Sequence, residues 1–347
     1  MRAQSPPVHP PLGLAPALQV MAAEGHSVQA CLKGTGILSS RLNDPHQTIT
    51  LQQEIRFHRN VLEISGDRTI GLRIGMAYLP QRYGLLGYAL LSAATLRQAL
   101  VIGSKFGDLT FTWFELRFAV TGDTAVFSLI DRVDIDADVR DLLYDRDCAA
   151  VWATMNETMG QRQPLSKIAL PHDGHGRRVD YRKFFRCPIE FNTVPARVEF
   201  AAELAETPLP HRDTAASGQL LQQCQLLLAK LSRQSALVDD VRQALLARPG
   251  FFPDIAMMAE KLGLSVRTLR RRLTEENTSF QGVLDEVRFG LATEYLVETG
   301  LPLQEISTLL GYSEPGNFTH AFKRWSGKAP SDYRLGRGSI THQRGGA

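Results

Sequence analysis

The chain has 347 residues, of which 44% are hydrophobic and 22% are charged, and its formal net charge is +3. This composition is typical of a globular protein with room for two domains. It contains no apolar run near the roughly 20 residues that span a bilayer, and the proline-rich N-terminus lacks the apolar core of a secretory signal. We therefore expect a cytoplasmic protein without a membrane segment, whose four scattered cysteines are reduced and buried.

Residues 14–205 mix helical and strand patterns, which predicts an α+β domain. The prolines of residues 1–13 predict a disordered tail before it. Glycines at 71, 75, 84 and 87 predict tight turns and close backbone approach. The predicted helices cover residues 14–30, 49–64, a segment from Ser92 or Thr95 to about Ser104, and 138–159; the predicted strands cover 110–120 and 124–131, as a hairpin, then 167–170 and 197–200.

Aromatic side chains in this domain are candidates for the wall of a small-molecule pocket. Glu115, on the predicted hairpin, is the candidate for orienting a polar ligand. Two other interpretations stay open, because aromatic residues more often pack in a core and Glu115 fits a solvated strand face equally well. The candidate effector-binding residues are Tyr83, Tyr88, Trp113, Glu115 and Trp152.

The loop at residues 171–178 contains His172, Asp173 and His175, which are potential metal ligands. The loop is glycine-rich and supplies no cysteine, so we predict no metal site there. The chain also lacks a nucleophile elbow, a phosphate loop, an HExxH pair and a dinucleotide-binding fingerprint. We therefore expect neither a cofactor nor an enzymatic activity.

Residues 206–217 are rich in proline, polar and small residues, which predicts a linker. A helix follows, so that residues 206–234 are assigned to a linker and a helix. Apolar residues recur along this helix at four-three-four spacing and form a narrow seam. The seam packs either onto its own domain or against a second copy of the chain. Its members are Leu220, Cys224, Leu227 and Leu231.

The stretch at residues 255–272, IAMMAEKLGLSVRTLRRR, has the form of a helix-turn-helix. Ala259 is small enough to let two helices cross closely, and Gly263 takes the bend. Ser265 is placed to cap the second helix. Between Ser265 and residue 272 that helix carries four arginines and no acidic residue. Such clustering produces a local positive potential that binds phosphate even when the net charge is small.

The same pattern recurs with Gly311 in the place of Gly263, an offset of 311 − 263 = 48 positions. At this offset the small Ala259 matches the small Ser307. After the turn the register slips by one residue, because the second turn is longer and contains Pro315-Gly316. The sequence therefore predicts a duplicated helix-turn-helix.

A long helix joins the two motifs. It starts after Thr278 or Ser279 and ends at Gly300. About 19 helical residues are roughly 28 Å long. The helix is therefore a suitable spacer for two motifs that lie near one turn of DNA apart, which is about 34 Å.

Residues 300–334, GLPLQEISTLLGYSEPGNFTHAFKRWSGKAPSDYR, resemble the C-terminal signature of AraC/XylS-type transcription regulators. The segments SVRTLRRRL and DEVRFGLATEYL are similar to the same family. Residues 71–102 and the segment YRKFFRCPIEF resemble the N-terminal domain called arabinose-binding-like in one branch of it. The resemblance implies an effector-binding and dimerisation domain at 14–205, an AraC-type DNA-binding domain at 235–336 and a flexible tail at 337–347.

In this family the N-terminal part of each recognition helix faces base edges. Arg267, Arg270 and Arg271 share a helical face and suit guanine in the major groove. Arg272 is turned away and is expected at a phosphate or in solvent. In the second unit Pro315-Gly316 replace polar residues of other members, so this unit is expected mainly to add affinity. The residues expected at DNA are Ser265, Arg267, Arg270, Arg271, Arg272, Ser313, Asn317, Thr319, His320, Lys323 and Arg324.

The predicted fold is an α+β domain followed by an all-α domain with two helix-turn-helix units. The predicted function is a sequence-specific DNA-binding transcription regulator, an activator by family habit, that responds to a small molecule. The expected partners are promoter double-stranded DNA, RNA polymerase, an unidentified effector and a second copy of the chain. One alternative is a regulator without an effector, whose N-terminal domain only dimerises or contacts RNA polymerase. The other is an enzyme fused to a DNA-binding domain.

Overall fold

The computed structural model describes residues 9–44, 48–247, 250–276, 278–326 and 328–334. The chain divides into two compact units, Met1–Leu231 and Ser232–Ala347. The first is an α+β unit with a five-stranded sheet, and the described part of the second is helical. The predicted fold class is therefore confirmed. Among these residues, no helix combines the length and the apolar character needed to cross a membrane.

The first unit alternates helices with short strands, and several helices begin at caps that the sequence provides. Thr50 and Gln53 form a reciprocal capping box at the start of α3 (Leu51–Ser65). Thr95 accepts from the N–H of Gln98 and caps the following helix, as predicted. The other helices are α1 (Ala15–Ala23), α2 (Val28–Leu32), α4 (Ile70–Met76), α5 (Leu85–Leu91), α6 (Leu96–Lys105), α7 (Ala137–Met159), α8 (Arg178–Phe185) and α9 (Ala202–Ala205).

One sheet contains the five strands, in the order β1-β2-β5-β3-β4. β1 and β2 form the predicted hairpin, with Thr121 opposite Thr124. The pairs β2–β5 and β5–β3 are antiparallel, whereas β3–β4 is parallel. The first strand begins at Phe114 rather than residue 110, because Gly107–Leu109 form a 3-10 turn. The strands are β1 (Phe114–Thr121), β2 (Thr124–Asp131), β3 (Lys167–Leu170), β4 (Ile189–Phe191) and β5 (Ala196–Ala201).

The helix α7 is largely buried in the core of the first unit, and α4 packs directly on its backbone. A Cβ at Gly71 would lie 2.4 Å from the carbonyl oxygen of Leu142, and one at Gly75 would lie 2.1 Å from that of Arg146. The predicted close approach is therefore correct, but both glycines lie inside a helix and not in turns. Of the four glycines that the sequence predicted at turns or close approaches, only Gly84, with φ of +54°, lies at a turn.

Residues 9–13 belong to the folded unit, so the predicted disordered tail is too long. The Nδ1 atom of His9 lies 3.0 Å from Oε2 of Glu54, and both side chains are buried. Pro11–Leu14 form a 3-10 helix, for which proline is well suited. The Tyr78 hydroxyl donates to the Gly13 carbonyl at 2.5 Å. Residues 1–8 lie outside the described part of the chain.

Residues 206–213 are not a free linker. The N–H of Leu209 donates to the carbonyl of Ala94 at 3.1 Å, and Leu209 is buried. The N–H of Asp213 donates to the carbonyl of Ser92 at 2.9 Å. These bonds tie the segment to the turn between α5 and α6. The polar and small residues of this segment therefore do not make it a linker.

This segment is followed by one long helix, α10 (Thr214–Leu246), which extends past the predicted end at residue 234. Leu220 and Cys224 pack on the core of the first unit, which favours packing of the seam onto its own domain. Leu227 is 40% exposed, and the side chain of residue 231 is not among those described. All four cysteines are buried and free, as expected.

The second unit has two apolar cores, and one helix contributes to both. Val283 and Val287 of α13 belong to the first core, whereas Ala292 and Leu296 belong to the second. Ser279 caps this helix by accepting from a backbone N–H at 3.0 Å, so Ser279 is the predicted cap that the structure uses. The helices are α11 (Ile255–Lys261), α12 (Val266–Glu275), α13 (Phe280–Glu298), α14 (Leu303–Leu309) and α15 (Pro315–Ser326).

Candidate functional site

The first helix-turn-helix consists of α11 and α12, joined by a glycine turn. Asp254 caps α11 by accepting from two backbone N–H groups at 2.9 Å. Gly263 has φ of +66°, a conformation that a side chain opposes. Ser265 caps α12, accepting from the N–H of Thr268 at 3.1 Å, as predicted. The local sequence thus fixes where each helix starts and how the chain bends between them.

The second helix-turn-helix repeats this geometry in α14 and α15. Gly311 has φ of +73°. The N–H of Leu264 donates to the Ala259 carbonyl at 2.9 Å, and the N–H of Tyr312 donates to the Ser307 carbonyl at 3.0 Å. The duplication is therefore confirmed at the level of backbone hydrogen bonds. The matched buried pairs are Met258 and Ile306, Ala259 and Ser307, Leu269 and Phe318, and Leu273 and Phe322.

Ser313 matches Ser265 in the repeat but does not cap its helix. The helix α15 begins at Pro315, so Ser313 lies two residues before its first residue and does not occupy the capping position. The longer turn moves the start of the helix, and proline suits a first helical position because it lacks an N–H. Ser313 is nevertheless exposed beside that start.

Arginines cover the outer surface of α12. Leu269 and Leu273 are fully buried on its inner face, so Arg267, Arg270 and Arg272 are exposed. Arg271 is exposed too, and its Nη1 donates to Oε1 of Glu275 at 2.5 Å. Within the described ranges the other three arginines have no ion pair. The structure thus brings together the four cations that the sequence singled out.

The outer surface of α15 is less cationic. Asn317, His320 and Lys323 are exposed. The hydroxyl of Thr319 donates to the carbonyl of Pro315 at 3.0 Å, so it is already engaged with its own helix. Arg324 donates through Nη2 to Oδ2 of Asp285 at 3.0 Å, which holds it against α13.

Sequence reasoning missed two residues of α13 that hold the unit together. Asp285 accepts from Nε1 of Trp325 at 3.2 Å in addition to its pair with α15. The guanidinium of Arg288 lies 4.8 Å from the ring centroid of Phe252 and 4.5 Å from that of Tyr312. It also donates to the Gly311 carbonyl at 3.3 Å. These partners are distant in sequence, so no local pattern reveals them.

The first unit contains a mainly apolar cavity of about 70 Å³. It lies among α5, α6, α7 and the β1–β2 hairpin. The cavity is smaller than typical small-molecule sites, which measure roughly 300–1,000 Å³, but it has the apolar walls and the few polar groups that such sites combine. The lining residues are Tyr78, Tyr83, Leu90, Ala99, Leu100, Gly103, Thr110, Phe111, Thr112, Leu116, Phe127, Asp147, Ala150, Val151 and Thr154.

Of the five predicted effector residues, only Tyr83 lines this cavity. Tyr88 is 56% exposed on α5. Trp113 is buried, with its ring centroid 4.1 Å from that of His9. It contributes to the core, which was the alternative interpretation.

The other two predicted residues have structural partners elsewhere. Trp152 donates through Nε1 to the carbonyl of Gln163 at 2.9 Å. Glu115 accepts from Nε of Arg117 at 2.8 Å, on the solvated face of β1. The helical residues that form most of the cavity wall were missed, because only the folded structure brings their helices together.

A buried ion network lies behind the cavity. Arg146 donates from Nε to Oδ1 of Asp147 at 2.6 Å and from Nη1 to Oε1 of Glu54 at 3.2 Å. Burial opposes the ionisation of Glu54, but His9, His58 and Arg146 outweigh it and lower the pKa of this carboxyl to about 2. Burial also lowers the pKa of His58 to about 4, so its imidazole is neutral at pH 7.

The structure brings His172 and His175 together with Asp145, and their ligand atoms lie within 4.8 Å of one another. Nε2 of His172 lies 3.0 Å from Oδ1 of Asp145, and the N–H of Gly174 donates to Nδ1 at 3.1 Å. Nδ1 is therefore the acceptor and Nε2 carries the proton. A metal ion would have to displace these bonds. Asp173 accepts from the N–H of His175 and is exposed.

A pair of helix-turn-helix units, joined by one helix and bearing arginines on an exposed recognition surface, defines a DNA-binding transcription regulator. Residues 25–209 match the family model described as the arabinose-binding domain of AraC transcription regulator, N-terminal, and residues 258–336 match a helix-turn-helix domain. The chain belongs to the AraC family of transcription regulators.

Relatives match along most of the chain. An HTH-type transcriptional regulator of Mycobacterium tuberculosis is 34% identical over 87% of this chain and 89% of its own length. The ornithine utilization regulator of Pseudomonas aeruginosa is 33% identical over 93% and 96%. The crystal structure of the regulator CdpR from the same organism aligns over 93% of this chain and 98% of its own, with 24% identity and a TM-score of 0.49. The chain is thus a regulator and not an enzyme.

Proposed function

We propose that the chain activates transcription in response to a small effector that binds in the cavity of the first unit. The observation that carries this proposal is the cavity itself, with its apolar walls and its buried carboxylate, Asp147. Family models place an arabinose-binding-type domain over the same residues. The effector acts by binding one arrangement of the regulator more tightly than another, which is what couples binding to output.

The proposed DNA contacts follow from the exposed cations of the two recognition helices. Arg267, Arg270 and Arg271 approach base edges in the major groove, and Arg272 contacts a phosphate. In the second unit Asn317 and His320 approach bases, whereas the remaining residues bind the backbone. Ser265 and Ser313 lie at or near helix starts, where N–H groups suit phosphate, and Thr319 lies on the exposed side of α15. The phosphate contacts of the second unit are assigned to Lys323 and Arg324.

The proposed assembly is a cytoplasmic homodimer that contacts RNA polymerase. The exposed apolar side chains of α10, Leu226 and Leu227, support a contact with a second copy. Sedimentation of the full chain tests this, and we expect Leu227→Glu to shift the dimer towards the monomer. An unchanged dimer would place the interface elsewhere.

A reporter assay tests the effector response. Gly103 lines the cavity, and a Cβ there meets only the side chain of Leu90, at 3.8 Å, so a leucine extends into the empty space without backbone strain. We expect Gly103→Leu to lose the response of a promoter fusion to cell metabolites. Gly218→Leu is the matched control, because position 218 is exposed and has no atom within 4 Å of a Cβ.

Two results would contradict the proposal. An unchanged response in Gly103→Leu would show that the effector does not act through the cavity. Constant output of the wild-type protein across all metabolite classes, with intact DNA binding, would favour the regulator without an effector.

A further inference from the structure

We infer that the effector is an amphiphile, with an aliphatic or aromatic body and one head that donates a hydrogen bond. A hydroxyl or an amine is such a head, whereas a free sugar and a carboxylate are excluded classes. The inference rests on the proposed function, because it assigns a ligand class to the cavity of the first unit.

The walls of the cavity are hydrocarbon over most of their area. Leu90, Leu100, Leu116, Phe127 and Val151 surround the space and offer no side-chain hydrogen bond. A sugar has a hydroxyl on nearly every carbon, and burying such groups against apolar walls without partners is unfavourable. The walls therefore suit a hydrocarbon body and oppose a pentose, whatever the name of the matching family.

Two threonines and one carboxylate at one side of the cavity form hydrogen bonds that leave acceptor sites available. The Thr110 hydroxyl donates to the Gly107 carbonyl at 2.6 Å, and the Thr112 hydroxyl donates to Oδ2 of Asp147 at 2.5 Å. Each Asp147 oxygen accepts one bond from the protein, and a carboxylate oxygen has a second acceptor site. Asp147 is thus the acceptor to which a ligand head can donate.

The charge at this side of the cavity opposes an anionic head. Arg146 lies behind Asp147 and is the nearest guanidinium, but its three nitrogen atoms donate to Asp147, Glu54 and the Phe111 carbonyl. One guanidinium therefore faces two carboxylates, and His58 is neutral at pH 7 because burial lowers its pKa to about 4. His9 contacts Glu54 and not Asp147. A ligand carboxylate would meet Asp147 without a free cation to offset it.

The test uses octylamine, octan-1-ol, octanoate and L-arabinose as probes, each titrated into the full chain below its micelle-forming concentration. Isothermal calorimetry measures the dissociation constants. We expect octylamine and octan-1-ol to bind, octanoate to bind at least tenfold more weakly, and arabinose not to bind. From hexylamine to octylamine the affinity should rise roughly fourfold per methylene, as expected for a buried CH₂ group.

Variants of the chain show where the probes bind. Gly103→Leu should weaken octylamine at least tenfold, because its side chain occupies the space of the hydrocarbon body. Gly218→Leu should bind like wild type. Asp147→Asn should weaken octylamine more than octan-1-ol, because the amide keeps an acceptor oxygen but loses the charge. Thermal unfolding of each variant shows that it is folded, and Gly103→Leu keeps the test independent of the buried ion network.

The inference is overturned if octanoate binds more tightly than the amine and the alcohol, if arabinose binds in a manner that Gly103→Leu abolishes, or if no amphiphile binds. It is also overturned if the amine binds equally well to Gly103→Leu, since the site then lies elsewhere. Each of these results leaves the reporter response to cell metabolites as a separate observation. The failure of the ligand class is therefore distinguishable from the failure of the proposed effector response.

Discussion

The two helix-turn-helix units have the same interior and different surfaces. Both turn at a glycine with positive φ, and both close the turn with the same backbone hydrogen bond. On the first recognition helix, arginines are exposed beyond the buried Leu269 and Leu273. On the second, Arg324 is held by Asp285, and the Thr319 hydroxyl is turned to its own backbone.

This comparison separates the requirements of the fold from those of recognition. The matched positions stay buried in both units because they form the crossing of two helices, although leucine in the first unit is matched by phenylalanine in the second. Exposed positions are free to differ, and they form an arginine surface in the first unit and a mixed polar surface in the second. We expect the first unit to discriminate between sequences and the second to contribute mainly affinity.

The largest expected effect is on stability. Phe322→Ala should lower the free energy of unfolding by about 3–5 kcal/mol, because a fully buried aromatic side chain leaves a cavity. Leu273→Ala, its counterpart in the first unit, should lower it by about 2–5 kcal/mol. Urea unfolding measures both values. If either variant lost less than about 1 kcal/mol, a typical small mutational effect, the two interiors would not be equivalent.

The next effect is on sequence discrimination. Arg267→Ala and Arg271→Ala should each cost about 1–3 kcal/mol of binding to a cognate site, measured by fluorescence anisotropy at physiological salt. Binding to a scrambled duplex should change less. Arg272→Ala is the matched control, because it removes the same charge from the same helix and should weaken both duplexes alike. Wild-type affinity of both base-facing variants would refute the assignment of this helix.

Substitution of the two turn glycines should lower the stability by a smaller amount, and the two losses should differ. A side chain in the left-handed conformation costs about 1–2 kcal/mol, so Gly263→Ala and Gly311→Ala should both be destabilising. The loss should be greater at Gly311, where a Cβ would lie 2.8 Å from the Phe252 ring, whereas a Cβ at Gly263 meets nothing within 4 Å. Thermal unfolding ranks the two. The opposite order would mean that the ring moves aside at no cost.

The smallest effect is expected in the second recognition helix. His320→Ala should reduce cognate binding by less than Arg271→Ala does, since a single hydrogen bond is weaker than a bidentate arginine–guanine pair. The same anisotropy titrations measure it. A loss larger than that of Arg271→Ala would show that the second unit is the principal reader.

Local chemistry explains what the sequence predicted well. Ser265, Thr95 and Ser279 cap helices because a side-chain oxygen placed before a helix satisfies a free N–H, and this needs no distant partner. Gly263 and Gly311 likewise mark turns, because the positive φ that glycine tolerates is a local property and needs no distant partner. The repeat was visible because both copies have the same buried positions at almost the same spacing.

The errors concern contacts between residues that are distant in sequence. His9 is ordered because Glu54 lies beside it, and Leu209 is buried because α5 and α6 turn beneath it. The cavity was missed for the same reason, because residues that are distant in sequence form its walls. Gly103 and Val151 have no functional signature of their own, and only the packing of α6 near α7 leaves space between them. Bulky aromatic residues were predicted in their place, and most of these fill the core.

The Arg288 guanidinium, between the rings of Phe252 and Tyr312, couples the two motifs to the helix that joins them. Phe252 precedes the first motif and Tyr312 lies in the turn of the second, so one side chain braces both against α13. We expect this contact to keep the two helix-turn-helix motifs at a fixed spacing. Where two half-sites are spaced differently, the duplex has to bend or twist to fit, and that deformation energy depends on base steps that the protein does not touch. We therefore expect promoter choice to depend also on the stiffness of the DNA between the half-sites.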